Sequence, residues 1–219
     1  MNEKIAVIFD MDGVLVENSE FHDEAWRLTC LKHGKIITNQ DVRNGFGGSN
    51  KILVQNLLGI FDQKIIEKIA IEKEKLYRDI FEKSLRLPLG LMNLLNELKQ
   101  KNVCMAVATS APPENLHFVI DKLGIRNYFD ALVDESQIKN CKPDPEIYIL
   151  AANKLGVPIS NCLVFEDSIF GIQSGKAAGM KVIGITTSFG AEQIKMADLI
   201  ITSFTEISLE RIKKLLSID

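Results

Sequence analysis

Lys4-Ile5-Ala6-Val7-Ile8-Phe9-Asp10-Met11-Asp12-Gly13 opens the chain with a short apolar, β-branched run that stops abruptly at two acids and a glycine. Such a run reads as a buried strand, and its polar tail as a turn. Alternation in an extended chain puts Asp10 and Asp12 on one side, roughly 7 Å apart along the backbone. One carboxylate can attack while the other handles a proton.

Comparable apolar runs recur at 103–108, 131–133, 162–165, 181–185 and 199–201, separated by helical patterns at 92–101, 114–123, 145–155 and 169–178. Strand and helix in alternation imply an α/β fold, a Rossmann-like parallel sheet with helices on both faces. In such sheets ligands bind beyond the carboxyl ends of the strands, so the residues just after each strand are the ones to search for chemistry. Between the first strand and the next the pattern turns purely helical, with apolar residues at helical spacing in 21–31, 52–58 and 65–81. That stretch is too long for a crossover. Residues 1–14 and 87–219 are expected to form the core domain, and 15–86 an inserted all-helical domain. The insert contains Asn44-Gly45-Phe46-Gly47-Gly48-Ser49-Asn50, which is neither GxGxxG nor a Walker loop and reads as an interhelical turn before a substrate loop.

A chain of 219 residues with 46% hydrophobic content can bury a sizeable core. A formal charge of −3, with acids and bases interspersed, offers no basic stripe for a nucleic-acid backbone. No apolar run approaches the roughly 20 residues that span a bilayer, and no signal-peptide core follows Met1. Cys30, Cys104, Cys141 and Cys162 form no CxxC pair and suit reduced thiols. The expectation is a cytoplasmic monomer with no nucleic-acid or membrane partner.

Three further strand ends carry polar groups. After 103–108 come Thr109 and Ser110, whose hydroxyls and neighbouring N–H groups can hold phosphate oxygens, although helix capping is the readier explanation of such residues taken alone. Lys142-Pro143-Asp144-Pro145 sets one lysine in a turn restricted by two prolines. Glu166-Asp167 follows Leu163-Val164-Phe165 directly. If the topology gathers these ends, Asp10, Asp12, Glu166 and Asp167 surround any bound phosphate, and each like-charge pair about 4 Å apart costs roughly 4 kcal/mol at an effective dielectric near 20. Lys142 cannot offset that set. A hard divalent cation can, and an all-oxygen donor set without histidine points to Mg²⁺ rather than zinc.

With these four elements in this order, the chain resembles the haloacid dehalogenase superfamily, in particular its members with a helical cap inserted after the first strand, such as phosphoglycolate phosphatases and β-phosphoglucomutases. The resemblance spans essentially the whole chain. It implies that Asp10 attacks phosphorus to form an aspartyl phosphate, while Asp12 protonates the leaving alkoxide and then activates water. It also implies Mg²⁺ on the Asp10 carboxylate, the Asp12 backbone carbonyl and Asp167, with Glu166 either ligating or supporting, and a phosphoryl group held by Thr109, Ser110 and Lys142. The dehalogenases of the superfamily lack the second acid of the first motif, so Asp12 argues against that reaction.

The function expected is Mg²⁺-dependent hydrolysis of small phosphate monoesters, sugar phosphates or phosphoglycolate-like esters. The alternatives are a β-phosphoglucomutase-like phosphohexomutase and a non-catalytic module that binds a phosphorylated ligand. A mutase benefits from a second phosphate grip in the cap, which in β-phosphoglucomutase-like sequences includes an arginine after the glycine turn. Asn50 stands there in this chain. Lys51, Lys73 and His22 complete the possible cap contacts, each more readily read as a solvated helix face or as packing.

Overall fold

The structure is a computed structural model and describes residues 4–38, 41–42 and 49–218. The glycines at 45, 47 and 48, and with them most of the glycine-rich turn, lie outside the described residues. Two compact units divide the chain: one runs up to Glu17 and resumes at Arg86, and the other is Asn18–Leu85.

The first unit is built on six parallel strands: β1 Ala6–Phe9, β2 Cys104–Ala108, β3 Ala131–Val133, β4 Cys162–Glu166, β5 Lys181–Ile185 and β6 Leu199–Ile201. Their order is β3-β2-β1-β4-β5-β6. β1 is therefore central, paired in register with β2 (Phe9 opposite Val107) and with β4 (Phe9 opposite Phe165). Wholly buried residues such as Ala-Val-Ile-Phe suit a strand covered on both faces.

Side chains alternate across the sheet. Ala6, Ile8, Ala106, Ala108, Cys162 and Val164 pack on Ile147, Tyr148, Ala151 and Ala152, from the helix Glu146–Leu155, and on Ile172, from the helix Ile169–Ala177. On the other face Phe9 stacks on Phe165 with ring centroids 5.1 Å apart, and Phe204 tilts against both. The chain changes direction across the sheet between β1 and β4, and in doubly wound sheets the carboxyl ends at such a switch form the ligand crevice.

Numbering helices along the chain, α1 is Ser19–Lys32, α2 Asn50–Leu58, α3 Gln63–Phe81, α4 Leu91–Gln100, α5 Pro113–Lys122, α6 Glu146–Leu155, α7 Ile169–Ala177 and α8 Leu209–Leu216. The α/β class expected from the alternation is the class observed. Several helices begin a residue or two ahead of their first apolar position, because the polar opening turn belongs to the helix; the Asp62 carboxylate, for instance, accepts the N–H of Ile65 to start α3. α8, with Leu209, Ile212 and Leu216 buried, lies beyond the elements read from the sequence.

The unit boundary at Glu17 falls later than the expected break after 14. Val14, Leu15 and Val16 are fully buried, and their N–H groups all point to the Met11 carbonyl, so they belong to the turn after β1. The second unit packs α1, α2 and α3 around Trp26, Cys30, Leu53, Val54, Leu57, Ile66 and Ile69. Among the described residues no helix is long and apolar enough to cross a membrane.

Candidate active site

The ladder between β1 and β4 continues one step past β1, with the Asp10 N–H donating to the Phe165 carbonyl at 3.0 Å. Asp10 and Glu166 thus end adjacent strands. Asp10, Glu166 and Asp167 are all buried, and a carboxylate oxygen from each lies within 4.8 Å of the others.

Lys142 enters this cluster from the turn before α6. Its Nζ is 2.7 Å from Glu166 Oε1 and 3.0 Å from Asp10 Oδ1. The contact with Asp10 is an ion pair out of hydrogen-bonding alignment, and Asp10 Oδ1 has no hydrogen-bond partner among the described residues. The turn is held by local bonds: the Glu146 carboxylate accepts the N–H groups of Lys139 and Asn140, the Glu146 N–H donates to Asp144 Oδ1, and Ser174 Oγ donates to the Asp144 carbonyl at 2.7 Å. Lys142 is buried as a result, unlike an ordinary surface lysine.

Glu166, wholly buried, uses both carboxylate oxygens. Oε1 accepts from Lys142 and from Tyr148 Oη, each at 2.7 Å, and Oε2 accepts from the Asp167 and Ser168 N–H groups at 2.9 Å and from Ser168 Oγ at 3.0 Å. Burial pushes its pKa upward, but the Lys142 charge and these hydrogen bonds outweigh burial and hold it below the usual value.

Its neighbours go the other way. Burial is the main reason the Asp10 carboxyl is pushed up to about 7; Lys142 opposes the shift, while Glu166 and Asp12 add to it. Asp167 is pushed well above the ordinary range by burial and then by Glu166 and Asp10. Burial works against the Lys142 charge, yet Asp10 and Glu166 raise its pKa.

Three buried carboxylates therefore face one ammonium, and two of them are strained toward protonation. An added cation relieves this. The donor set is oxygen throughout and hard, which fits Mg²⁺. Glu166 already spends both oxygens on protein donors, so Asp10 and Asp167 offer the better-placed carboxylate oxygens.

Asp12 is half-buried in the turn and bridges to Val16. Thr109 is buried after β2, its N–H donating to the Val133 carbonyl at 3.0 Å and its Oγ1 accepting the Ala111 N–H at 3.1 Å; Ser110 is exposed. Thr109 does not cap α5, whose cap position is Pro112.

Four residues that sequence reasoning passed over join this cluster. Gly13 has a φ of +74°, and a Cβ built there meets Asp167 Oδ2 at 1.8 Å, so only glycine lets the turn lie against that carboxylate. The Thr187 hydroxyl donates to the Gly13 carbonyl, and the Ser188 side chain hydrogen-bonds Asp167. Both follow β5, so the strand-end rule applied to Thr186-Thr187-Ser188 would have found them. Tyr148 sits in the first turn of α6, where nothing local sets it apart from core packing.

In the second unit, α3 buries Ile66, Ile69, Lys73, Tyr77 and Phe81 along one stripe, so Lys73 stands where the helical pattern asks for an apolar residue. Its Nζ donates to His22 Nδ1 at 2.8 Å and to Glu74 Oε1 at 2.9 Å, and Asn50 Nδ2 donates to the same Glu74 oxygen at 2.9 Å. His22 stacks on Tyr77 with centroids 3.8 Å apart. His22, Asn50 and Lys73 are thus brought together around Glu74, while Lys51 is exposed on α2.

Residues 6–179 match the family model of the haloacid dehalogenase-like hydrolases. A phosphorylated carbohydrates phosphatase of Thermotoga maritima is 34% identical over 187 residues, which cover 84% of this chain and 86% of that protein. Among solved structures, a family IA, variant 3 hydrolase of Entamoeba histolytica is 34% identical with a TM-score of 0.91, covering 99% of this chain and 100% of the other. The β-phosphoglucomutase of Clostridium difficile is 28% identical with a TM-score of 0.88, covering 99% and 98%.

Proposed function

This chain belongs to the haloacid dehalogenase-like hydrolase family, and on that premise we propose that it is a Mg²⁺-dependent phosphatase of small phosphate monoesters, sugar phosphates foremost. The observation that carries the reading is the buried Asp10 carboxylate at the carboxyl end of the central strand, 3.0 Å from Lys142 and beside Asp167. The likeness to a phosphatase of phosphorylated carbohydrates supports sugar phosphates as the substrate class.

An Asp10 oxygen attacks phosphorus as the bond to the ester oxygen breaks, leaving an aspartyl phosphate. Asp12 gives its proton to the departing alkoxide. It then takes one from water as that water attacks phosphorus, which frees Asp10 and releases phosphate. Lys142 neutralises the phosphoryl oxygens, and Thr109 with Ser110 and the adjoining N–H groups orients them. Mg²⁺ would be held by Asp10, Asp167 and the Asp12 backbone carbonyl, and when bound it draws phosphoryl charge away from the carboxylates. Of the two roles open to Glu166, its saturated oxygens favour support: it fixes Lys142 and the Asp167 backbone. His22, Asn50, Lys51 and Lys73 remain the cap contacts within this proposal, and the free thiols accord with a cytoplasmic location.

A phosphohexomutase is the second reading, favoured by the likeness to a β-phosphoglucomutase and by the buried Lys73. Glu74 speaks against it, because Lys73 already spends its charge on that carboxylate and has less left for a second phosphate. Phosphate release from a panel of small esters with excess Mg²⁺ tests the choice, with β-glucose 1-phosphate and a trace of the 1,6-bisphosphate included. Free phosphate that disappears in Asp10→Asn supports the phosphatase. Glucose 6-phosphate without phosphate release makes the protein a mutase, and binding without turnover of any ester makes it a binding module.

A further inference from the structure

The turn that carries Lys142 leads straight into α6, and the sixth residue on is Tyr148, fully buried. Its hydroxyl donates to Glu166 Oε1 at 2.7 Å, the same oxygen that accepts Lys142 Nζ at 2.7 Å. Its ring lies under the ammonium, with Nζ 4.9 Å from the centroid. Tyr148 thus faces the lysine through its π face and shares with it one carboxylate acceptor.

The geometry points to Tyr148 as a positioning residue that keeps the Lys142 ammonium poised for the phosphoryl group. This rests on the reading that Lys142 holds that group. A wholly buried carboxylate facing an ammonium at 2.7 Å binds it strongly, because little water screens the pair. Left alone, Glu166 would draw Nζ toward itself and away from Asp10. The phenol occupies part of the Oε1 acceptor capacity and weakens that pull, while the ring attracts the ammonium from another direction. Nζ therefore stays 3.0 Å from Asp10 Oδ1, beside the atom that attacks.

Two variants separate these contributions. Tyr148→Phe keeps the ring and loses the hydroxyl, and Tyr148→Leu loses both. Each is compared with wild type for kcat and KM on p-nitrophenyl phosphate, for affinity toward inorganic phosphate by calorimetry, and for melting midpoint. The same comparison is repeated in a Lys142→Ala protein. Y148F is expected to lose about tenfold in kcat/KM and a similar factor in phosphate affinity, the size of one charge-assisted hydrogen bond. Y148L is expected to lose more. In the Lys142→Ala background neither substitution should lower phosphate affinity or kcat/KM further.

A loss of the same size in both backgrounds would make Tyr148 merely structural and overturn the proposal. So would unchanged kcat/KM and phosphate affinity in both variants, or a phosphate affinity indifferent to Lys142→Ala. Those outcomes leave the phosphatase reading standing. Failure of the wild-type protein to hydrolyse any ester removes that reading instead, and the calorimetric cycle then decides the role of Tyr148 by itself.

Discussion

Replacing Gly13 by alanine would place a methyl group 1.8 Å from Asp167 Oδ2 and 2.3 Å from its Cγ, at a φ of +74°. The backbone share of the damage is about 1 kcal/mol, the cost of holding an L-residue in the left-handed region. The contact share is larger. Carbon and oxygen cannot approach so closely, so Asp167 must swing away or the turn must open, by roughly 1 Å or more, the order of misplacement that costs about 10²-fold in catalysis. Opening the turn also strains the bond from the Thr187 hydroxyl to the Gly13 carbonyl. Gly13→Ala is therefore expected to lower kcat/KM by about 10² and to weaken Mg²⁺ binding, while urea unfolding shows a cost above about 2 kcal/mol, the backbone share plus the larger contact share. Hydrolysis measured against Mg²⁺ concentration, together with a calorimetric Mg²⁺ titration, reads both effects. Wild-type turnover with unchanged Mg²⁺ dependence would refute the claim that the Gly13 turn and Asp167 form one site.

Asp12→Ala, with Asp10 intact, should slow turnover by roughly 10²–10⁴, the range for a positioned acid or base, and an unchanged rate takes Asp12 out of the mechanism. The Asp10 carboxyl, raised to about 7 from an ordinary 3.8, keeps a proton in the folded protein that the unfolded chain has already released. Folding stability must then fall as pH rises through that interval, being greatest below it. Asp10→Asn has no proton to lose, so in metal-free buffer it should melt above wild type at about pH 8 and alongside it at about pH 4; melts with the opposite order contradict the sign. Glu74→Leu leaves Lys73, only 2% exposed, without its carboxylate, and should cost about 3–5 kcal/mol in urea unfolding. A cost well under about 1 kcal/mol would mean that His22 alone suffices for the ammonium.

Much of the fold is legible because its signals are local. Ala6–Phe9 is apolar and β-branched, and helical spacing reappears after each such run, so a parallel sheet with covering helices follows from patterns only a few residues long. The strand-end rule then points to Asp10, Thr109, Lys142 and Glu166 without any coordinates. The same rule was there to be applied after β5 and would have reached Thr187 and Ser188. The stripe of α3 held another signal, a lysine at a position where burial is expected, yet its partner Glu74 reads in sequence as one more charge on a charged helix.

Sequence by itself determined which groups could do chemistry and on which edge of the sheet they would lie, since residue type and strand direction are properties of short segments. Only the tertiary structure decided which of them meet. Asp10 and Glu166 become neighbours because β1 pairs with β4 across more than half the chain, a choice made by packing among six strands and written in no single one of them. That pairing turns Glu166 from a candidate ligand into the anchor of Lys142, brings the Tyr148 hydroxyl to the same oxygen, and presses Gly13 against Asp167. Each of these is a contact between groups far apart in the chain or hidden in a helix, and burial, which gives the charges their strength, exists only once the sheet and its covering helices have closed around them.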